Sequence, residues 1–363
     1  MTETAKLHRL DEYLSENSLE SAWFATPQLF SWLTGGSNLV AREGESGIAA
    51  AGYDGETITV LTTNIEGERL VDEELADDVE VVEYQWYEQS LREALEEVAS
   101  HPAATDVSWP GFDQVDCSAL TQPLTAGDVE RYREVSRETA TVLETVARDV
   151  SPGDTERELA ARLHHGLHER GIESPVVLVG GADRVQRYRH FTPTDVAVGS
   201  YAILTVVGVS HGLNVAATRT VAFDDAPSWL DERYETVARV AATTVNATQE
   251  VGEAGGTATD VFESIQTAYD ELGHDDEWMR HHQGGALGYK SREWTATPTN
   301  EASVSLPMAF GWNPTVDGAK VEETILVTED DIDVLTDTGE FPTLSVTGVD
   351  GETELTLPAI LRR

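Results

Sequence analysis

The chain has one cysteine, Cys117, so no intrachain disulfide can form and a reducing interior is expected. It has three lysines, Lys6, Lys290 and Lys320, and arginine supplies the rest of its 24 basic residues against 66 acids. The resulting formal charge of −42 would repel itself at low ionic strength and is tolerated where salt screens it. A salt-adapted source is therefore expected. The lack of a basic patch argues against nucleic acid or an anionic membrane as partner. The N-terminal stretch Met1-Thr-Glu-Thr-Ala-Lys6-Leu-His-Arg-Leu has no apolar core of a signal peptide, and runs such as Tyr201 to Val209 are too short to span a bilayer. A cytoplasmic location is the expectation. No internal repeat or low-complexity linker is present. The most informative absence is local: no Asp or Glu occurs between Asp195 and Asp224.

What is present reads as two domains, which a length of 363 residues permits. Residues 7 to about 18 have helical amphipathicity, and Ser21–Ala25 reads as a buried strand. Phe30–Gly36 reads as a turn leading to strands at 48–52 and 56–63, then a helix at 66–75, a strand at 79–84 and a helix at 91–100. Strands alternating with helices predict an α/β domain over residues 1–124. Thr125 or Asp128 can cap a long helix over 128–150, and Thr155 with Glu158 spells a capping box for a helix ending near Arg170. Strands are predicted at 176–179, 201–209 and 215–221, helices at 229–249 and 258–272, and strands again at 303–312, 319–328 and 334–335. That order predicts an α+β domain over 125–363.

Four landmarks lie in this second part: Tyr188-Arg189-His190, fifteen residues before Thr205; Thr218-Arg219-Thr220; His281-His282-Gln283-Gly284-Gly285; and Gly318-Ala-Lys320-Val-Glu322-Glu323. In this order and spacing they resemble the creatinase, prolidase and aminopeptidase P superfamily. The resemblance covers nearly the whole chain and includes the Phe30-Ser-Trp32-Leu-Thr-Gly35 segment of the first domain. It implies an α+β pita-bread catalytic domain with a smaller α/β creatinase-type N-terminal domain, and a homodimer.

The peptidases of that superfamily bind two divalent ions through two Asp, one His and two Glu, which suits hard cations that activate water. Carried onto this chain, those positions fall on Thr205, Ala216, Asn313 before Pro314, His282 (or Gln283 in a register one residue later) and Glu322. One acid and one imidazole cannot neutralise two dications, so no metal and no other cofactor is expected. The chain resembles metal-free creatinase where it departs from the peptidases, since Arg292-Glu293 follows His282 by ten residues. The resemblance implies His282 as acid/base, Glu322 and Glu293 positioning substrate or imidazole, Arg292 holding a carboxylate, and His190 in the substrate pocket. Trp294 and Trp312 are candidate packing surfaces for a flat or cationic substrate. His281 is expected to point away from His282, as neighbours in a strand do.

The expected activity is therefore metal-independent hydrolysis of a C–N bond in a small cationic or zwitterionic compound. The expected partner is a small molecule or short peptide. A catalytically silent binding scaffold and an Xaa-Pro metallopeptidase with an atypical site are the alternatives.

Overall fold

The computed structural model describes residues 3–41, 44–351 and 354–363. Contacts divide the chain into a unit of residues 1–127 and a unit of residues 128–363. Among the described residues no helix is long and apolar enough to cross a membrane.

The first unit is built on a six-stranded mixed sheet. Its strand order is 80–84, 58–63, 49–53, 21–24, 103–105 and 113–114. The strand Ser21–Phe24 pairs antiparallel with Ala49–Tyr53 and parallel with Ala103–Thr105. Trp23 lies opposite Gly52, where any Cβ would come within 2.3 Å of the indole. The small-residue run Ala49-Ala-Ala-Gly52 thus gives that ring its space. The segment Phe30–Gly36, expected to turn, is instead the end of a helix, Pro27–Thr34. Thr26 caps it by accepting from the Leu29 N–H, Pro27 opens it, and Gly35 closes it at φ +80°. A cap, a proline in the first turn and a left-handed glycine are the ordinary punctuation of a short helix, and its buried Leu29, Phe30, Trp32 and Leu33 anchor it.

Among the described residues the second unit contains two larger sheets and two two-stranded ones, 315–316 with 319–320 and 343–347 with 354–358. The first has the order 361–362, 213–222, 201–210, 173–181. Its centre is the hairpin of Tyr201–Ser210 and Leu213–Ala222, closed by a two-residue loop with His211 at φ +50° and Gly212 at φ +75°. Positive φ at both loop residues matches the right-handed twist of the strands. One face of this sheet packs on the helices Ala126–Asp149 and Glu156–His168. Leu143, Leu159, Leu163 and Leu167 meet Val179, Leu204, Val206 and Ala217 there. The predicted capping box is present, with the Thr155 N–H donating to Glu158 Oε2 at 2.9 Å.

The second sheet has the order 294–295, 284–287, 308–312, 323–327, 332–334. The predicted strand 303–312 starts only at Met308, because Pro307 cannot donate to a ladder. The predicted strand 319–328 breaks into Ala319–Lys320 and Glu323–Val327. Val321 and Glu322 fall at the break.

Buried polar contacts join the two sheets. The Thr324 hydroxyl accepts from the Ala216 N–H and donates to the Ala216 carbonyl, both at 2.9 Å. The Thr218 N–H donates to the Glu322 carbonyl at 2.8 Å. Beside them Arg219, fully buried, donates to Glu144 at 2.9 Å, to Glu323 at 2.8 Å, and to the Thr218 and Thr336 carbonyls at 2.8 and 2.6 Å. Burial lowers the guanidinium's affinity for its proton, but Glu323 and Glu144 more than offset this and raise it. Removing one partner of such a network strands the others in a low dielectric. Arg219→Met is expected to lower unfolding stability by about 3–5 kcal/mol, measured by chemical denaturation. A loss below 1 kcal/mol would show that the network contributes little.

Candidate functional site

Where the second sheet meets the hairpin, Glu322 is almost fully buried between two cations. Lys320 Nζ lies 2.8 Å from its Oε2 and Arg292 Nη2 lies 3.2 Å from its Oε1. Asn313 Nδ2 donates to Oε1 at 3.3 Å and the Thr218 hydroxyl to Oε2 at 3.4 Å. Burial alone would raise the Glu322 carboxyl, but Lys320 and then Arg292 outweigh it and hold it down at about 2. Lys320 was not singled out from the sequence. It stands two positions before Glu322, on the same side of extended chain, and it is one of only three lysines.

Thr205 and Thr218 lie opposite each other in the hairpin, with their hydroxyls 2.7 Å apart. Ala216 offers no side-chain donor, and its backbone is engaged by Thr324. The hydroxyl chain Thr205–Thr218–Glu322 is closed within the protein.

The histidines sit beside this group. The 3-10 turn Glu277–Arg280 delivers the chain in extended conformation at His281, before the strand Gly284–Leu287 begins. Because 281–283 precede that strand, strand alternation does not hold. The His281 and His282 rings stack at 4.4 Å instead of diverging, which corrects the expectation from the sequence. His281 is buried and its Nε2 lies 3.2 Å from His190 Nε2. His282 and His190 are exposed. Gln283 is fully engaged in structure, accepting from the Tyr269 hydroxyl and donating to the His281 and Trp278 carbonyls. Of the two registers, His282 is the one with a free imidazole. The segment bearing His190 is held by Arg189, which pairs with Glu277 at 2.8 Å and Asp317 at 2.7 Å.

The structure thus gathers His190, His282, Arg292 and Glu322, adding His281 and Lys320. Glu293 lies apart. Its Oε1 accepts from the Lys290 N–H at 3.2 Å, packs over Gly288, and raises the pKa of Tyr132. Burial raises the Glu293 carboxyl as well. Arg292 turns to Glu322, while Glu293 turns to the Gly288–Lys290 turn. Trp294 and Trp312 are buried in an aromatic layer with Phe310. Among the described residues, Trp294 Nε1, Trp312 Nε1, Arg292 Nε, Asn313 Oδ1, Glu293 Oε2 and His281 Nδ1 are buried without a hydrogen-bond partner in the chain.

Burial and the neighbouring Lys320 push the His281 imidazole down to about 2; burial and Arg292 lower His282 to about 4. His282 is open to solvent along one side and is neutral near pH 7. For His281 the consequence is one of stability. The unfolded chain takes up a proton near pH 6.5, while the folded chain does not until far lower pH. Stability is therefore full above 6.5 and falls with acidification through the window from about 6.5 toward 2. Unfolding free energy should drop by about 1.4 kcal/mol per pH unit between pH 6 and 5 from this residue alone. In urea titrations with EDTA present, His281→Asn should flatten that slope; an unaltered slope would refute the assignment.

A model of metallopeptidase family M24 matches residues 130–329. An Xaa-Pro dipeptidase of Pyrococcus furiosus is 20% identical over 355 residues, spanning 92% of this chain and 98% of that protein. The solved prolidase from Pyrococcus furiosus superposes with a TM-score of 0.72 at 20% identity, covering 91% of this chain and 99% of that one. The N-terminal domain of the FACT complex subunit SPT16 from chickpea superposes with a TM-score of 0.64 at 14% identity, covering 92% and 96%. With the family match extending over more than half its length and pita-bread structures aligning along nearly all of it, the chain belongs to metallopeptidase family M24.

Proposed function

We propose that this protein cleaves a C–N bond in a small zwitterionic compound, dipeptides of the Xaa-Pro class included, without a carboxylate-bridged metal pair. The observation that carries this reading is the clamp on Glu322. A pair of divalent ions requires several carboxylates to balance its charge. The equivalent positions offer one bonded hydroxyl, an alanine, an asparagine whose amide donates, one imidazole, and one carboxylate already neutralised by Lys320 and Arg292. These residues do not fit the metal pair.

The site supplies fixed positive charge and neutral imidazole. His282 carries no proton to spare near pH 7 and is open to solvent, so it accepts a proton from a water attacking the carbonyl or amidino carbon. The imidazolium so formed is a strong acid and returns the proton to the leaving nitrogen. Lys320 and Arg292 outnumber Glu322, leaving a net positive site beside the developing oxyanion. The same excess favours a substrate bearing a carboxylate, which narrows the substrate from cationic to zwitterionic. The unpartnered N–H groups of Arg292, Trp294 and Trp312 are further donors for such a ligand.

The test is turnover of a dipeptide and amidino-compound panel in molar KCl by EDTA-treated, untagged protein. Activity should survive chelation and fall at least ~100-fold in His282→Ala. Unchanged activity in that variant ends the imidazole reading, and stoichiometric Mn, Co or Zn required for turnover restores an Xaa-Pro metallopeptidase.

The acid limb of kcat/KM should lie near pH 4, since activity is lost as His282 protonates. Arg292→Gln removes a charge that opposes protonation, so the limb should move to higher pH; a limb that stays in place or moves down would contradict the role given to His282.

A second reading, a ligand-binding scaffold without turnover, draws on the likeness in fold to the N-terminal domain of the FACT complex subunit SPT16 from chickpea. It predicts thermal stabilisation by a ligand across the panel with no product formed.

A further inference from the structure

We propose that His190, His281 and His282 form a binding site for a single late-transition divalent cation of the Zn2+, Ni2+ or Cu2+ type, built from imidazoles alone and sharing only His282 with the positions that hold the family's metal pair. One ligand nitrogen from each of the three rings lies within 4.8 Å of the others. The closest pair, His281 Nε2 and His190 Nε2, is 3.2 Å apart. Tetrahedral coordination at 2.0–2.1 Å places ligand nitrogens roughly 3.3 Å apart, so that pair already has the spacing an ion demands. His282 must swing in by somewhat more than an ångström, and its exposure leaves it free to do so.

Two features distinguish this trio from a chance cluster. His281 is 8% exposed, and the one hydrogen bond of its ring runs from Nε2 to His190, so an ion between the two would replace that contact and no bond to the rest of the fold. Its backbone is also fixed from several sides. Gln283 donates to the His281 carbonyl at 2.6 Å and to Trp278 at 3.2 Å, accepts from Tyr269 at 2.9 Å, and its own carbonyl accepts from the Asn313 N–H at 3.0 Å. Arg189 fixes the segment carrying His190 through Glu277 and Asp317. Rigid placement by surrounding hydrogen bonds is what a metal site asks of its ligands.

The neighbouring charges decide which ion is taken. Lys320 and Arg292 face the trio together with Glu322, and the two cations outnumber the acid. A hard ion held by charge, such as Mg2+, Ca2+ or Mn2+, is disfavoured there. An ion whose affinity comes from imidazole nitrogen is not. With three protein ligands and an exposed rim, the ion keeps an open coordination position. In the reaction proposed above, occupancy would tie up the His282 lone pair, so the ion would act as an inhibitor; this consequence alone rests on that reading.

Binding is tested without any assay of turnover. Untagged, EDTA-stripped protein is titrated with Zn2+ against a chromophoric chelator, and with Co2+ while its visible d–d absorption is followed. One ion per chain is expected, with an intense tetrahedral Co2+ spectrum. His190→Ala and His282→Ala, both exposed and tolerant of truncation, should each weaken binding at least tenfold. His168→Ala, which breaks the exposed His164/His168 pair on the helix Glu156–His168, should leave binding unchanged. No stoichiometric binding, or a loss in His168→Ala with none in the other two, overturns the site. If Zn2+ binds as expected yet fails to inhibit an active enzyme, the binding site stands and the catalytic role of His282 falls.

Discussion

The arrangement in the second unit depends on how the protein compensates a single buried carboxylate. Glu322 lies out of water at a break between two short strands, a position of high cost for an ionised group unless opposite charge is supplied. Lys320 and Arg292 supply it, and Asn313 and Thr218 take up remaining lone pairs. The same residue's carbonyl receives the Thr218 N–H, so the charge cluster lies on the seam between the sheets. The imidazoles feel this cluster directly: Lys320 and Arg292 help keep His281 and His282 neutral. The chemistry available to the site follows from that balance.

Much of this was legible from the residues. The hairpin within the acid-free stretch between Asp195 and Asp224 stands where the β-rich runs placed it. The Thr155/Glu158 capping box and the long helices carried their own signals, because periodicity and caps are local. The helix Pro27–Thr34 was taken for a turn although Thr26, Pro27 and Gly35 spell its ends; its shortness and buried aromatics obscured its period. The strand Gly284–Leu287 gave no propensity signal, since its sequence is Gly-Gly-Ala-Leu. It exists because Met308–Trp312 and Trp294–Thr295 pair on either side of it. Gly284 and Gly285 are required there: a Cβ on either would meet a backbone oxygen at about 2 Å.

Within the site, His282, His190, Arg292 and Glu322 were named from the family resemblance. Lys320 could not be assigned a partner that way, although its rarity was a clue. Two of the three lysines, Lys6 and Lys320, are buried, so a composition poor in lysine reflects the surface, and those that remain serve the interior. His281 was misplaced because strand alternation was applied one turn too early, before the strand had begun. Glu293 follows Arg292 in sequence, yet the bend at 293 carries it to the Gly288–Lys290 turn, away from Glu322.

The Lys320–Glu322–Arg292 clamp also constrains what small changes of sequence can achieve. An aspartate at position 205 would enter a hydroxyl chain leading to Glu322 and would find ammonium and guanidinium groups close by. Its charge would be cancelled by the protein itself before any dication could claim it. A carboxylate-bridged metal pair at these positions would therefore take several acids added and the cations removed together, because an acid added alone is neutralised by the clamp and a cation removed alone leaves Glu322 buried without its counter-charge.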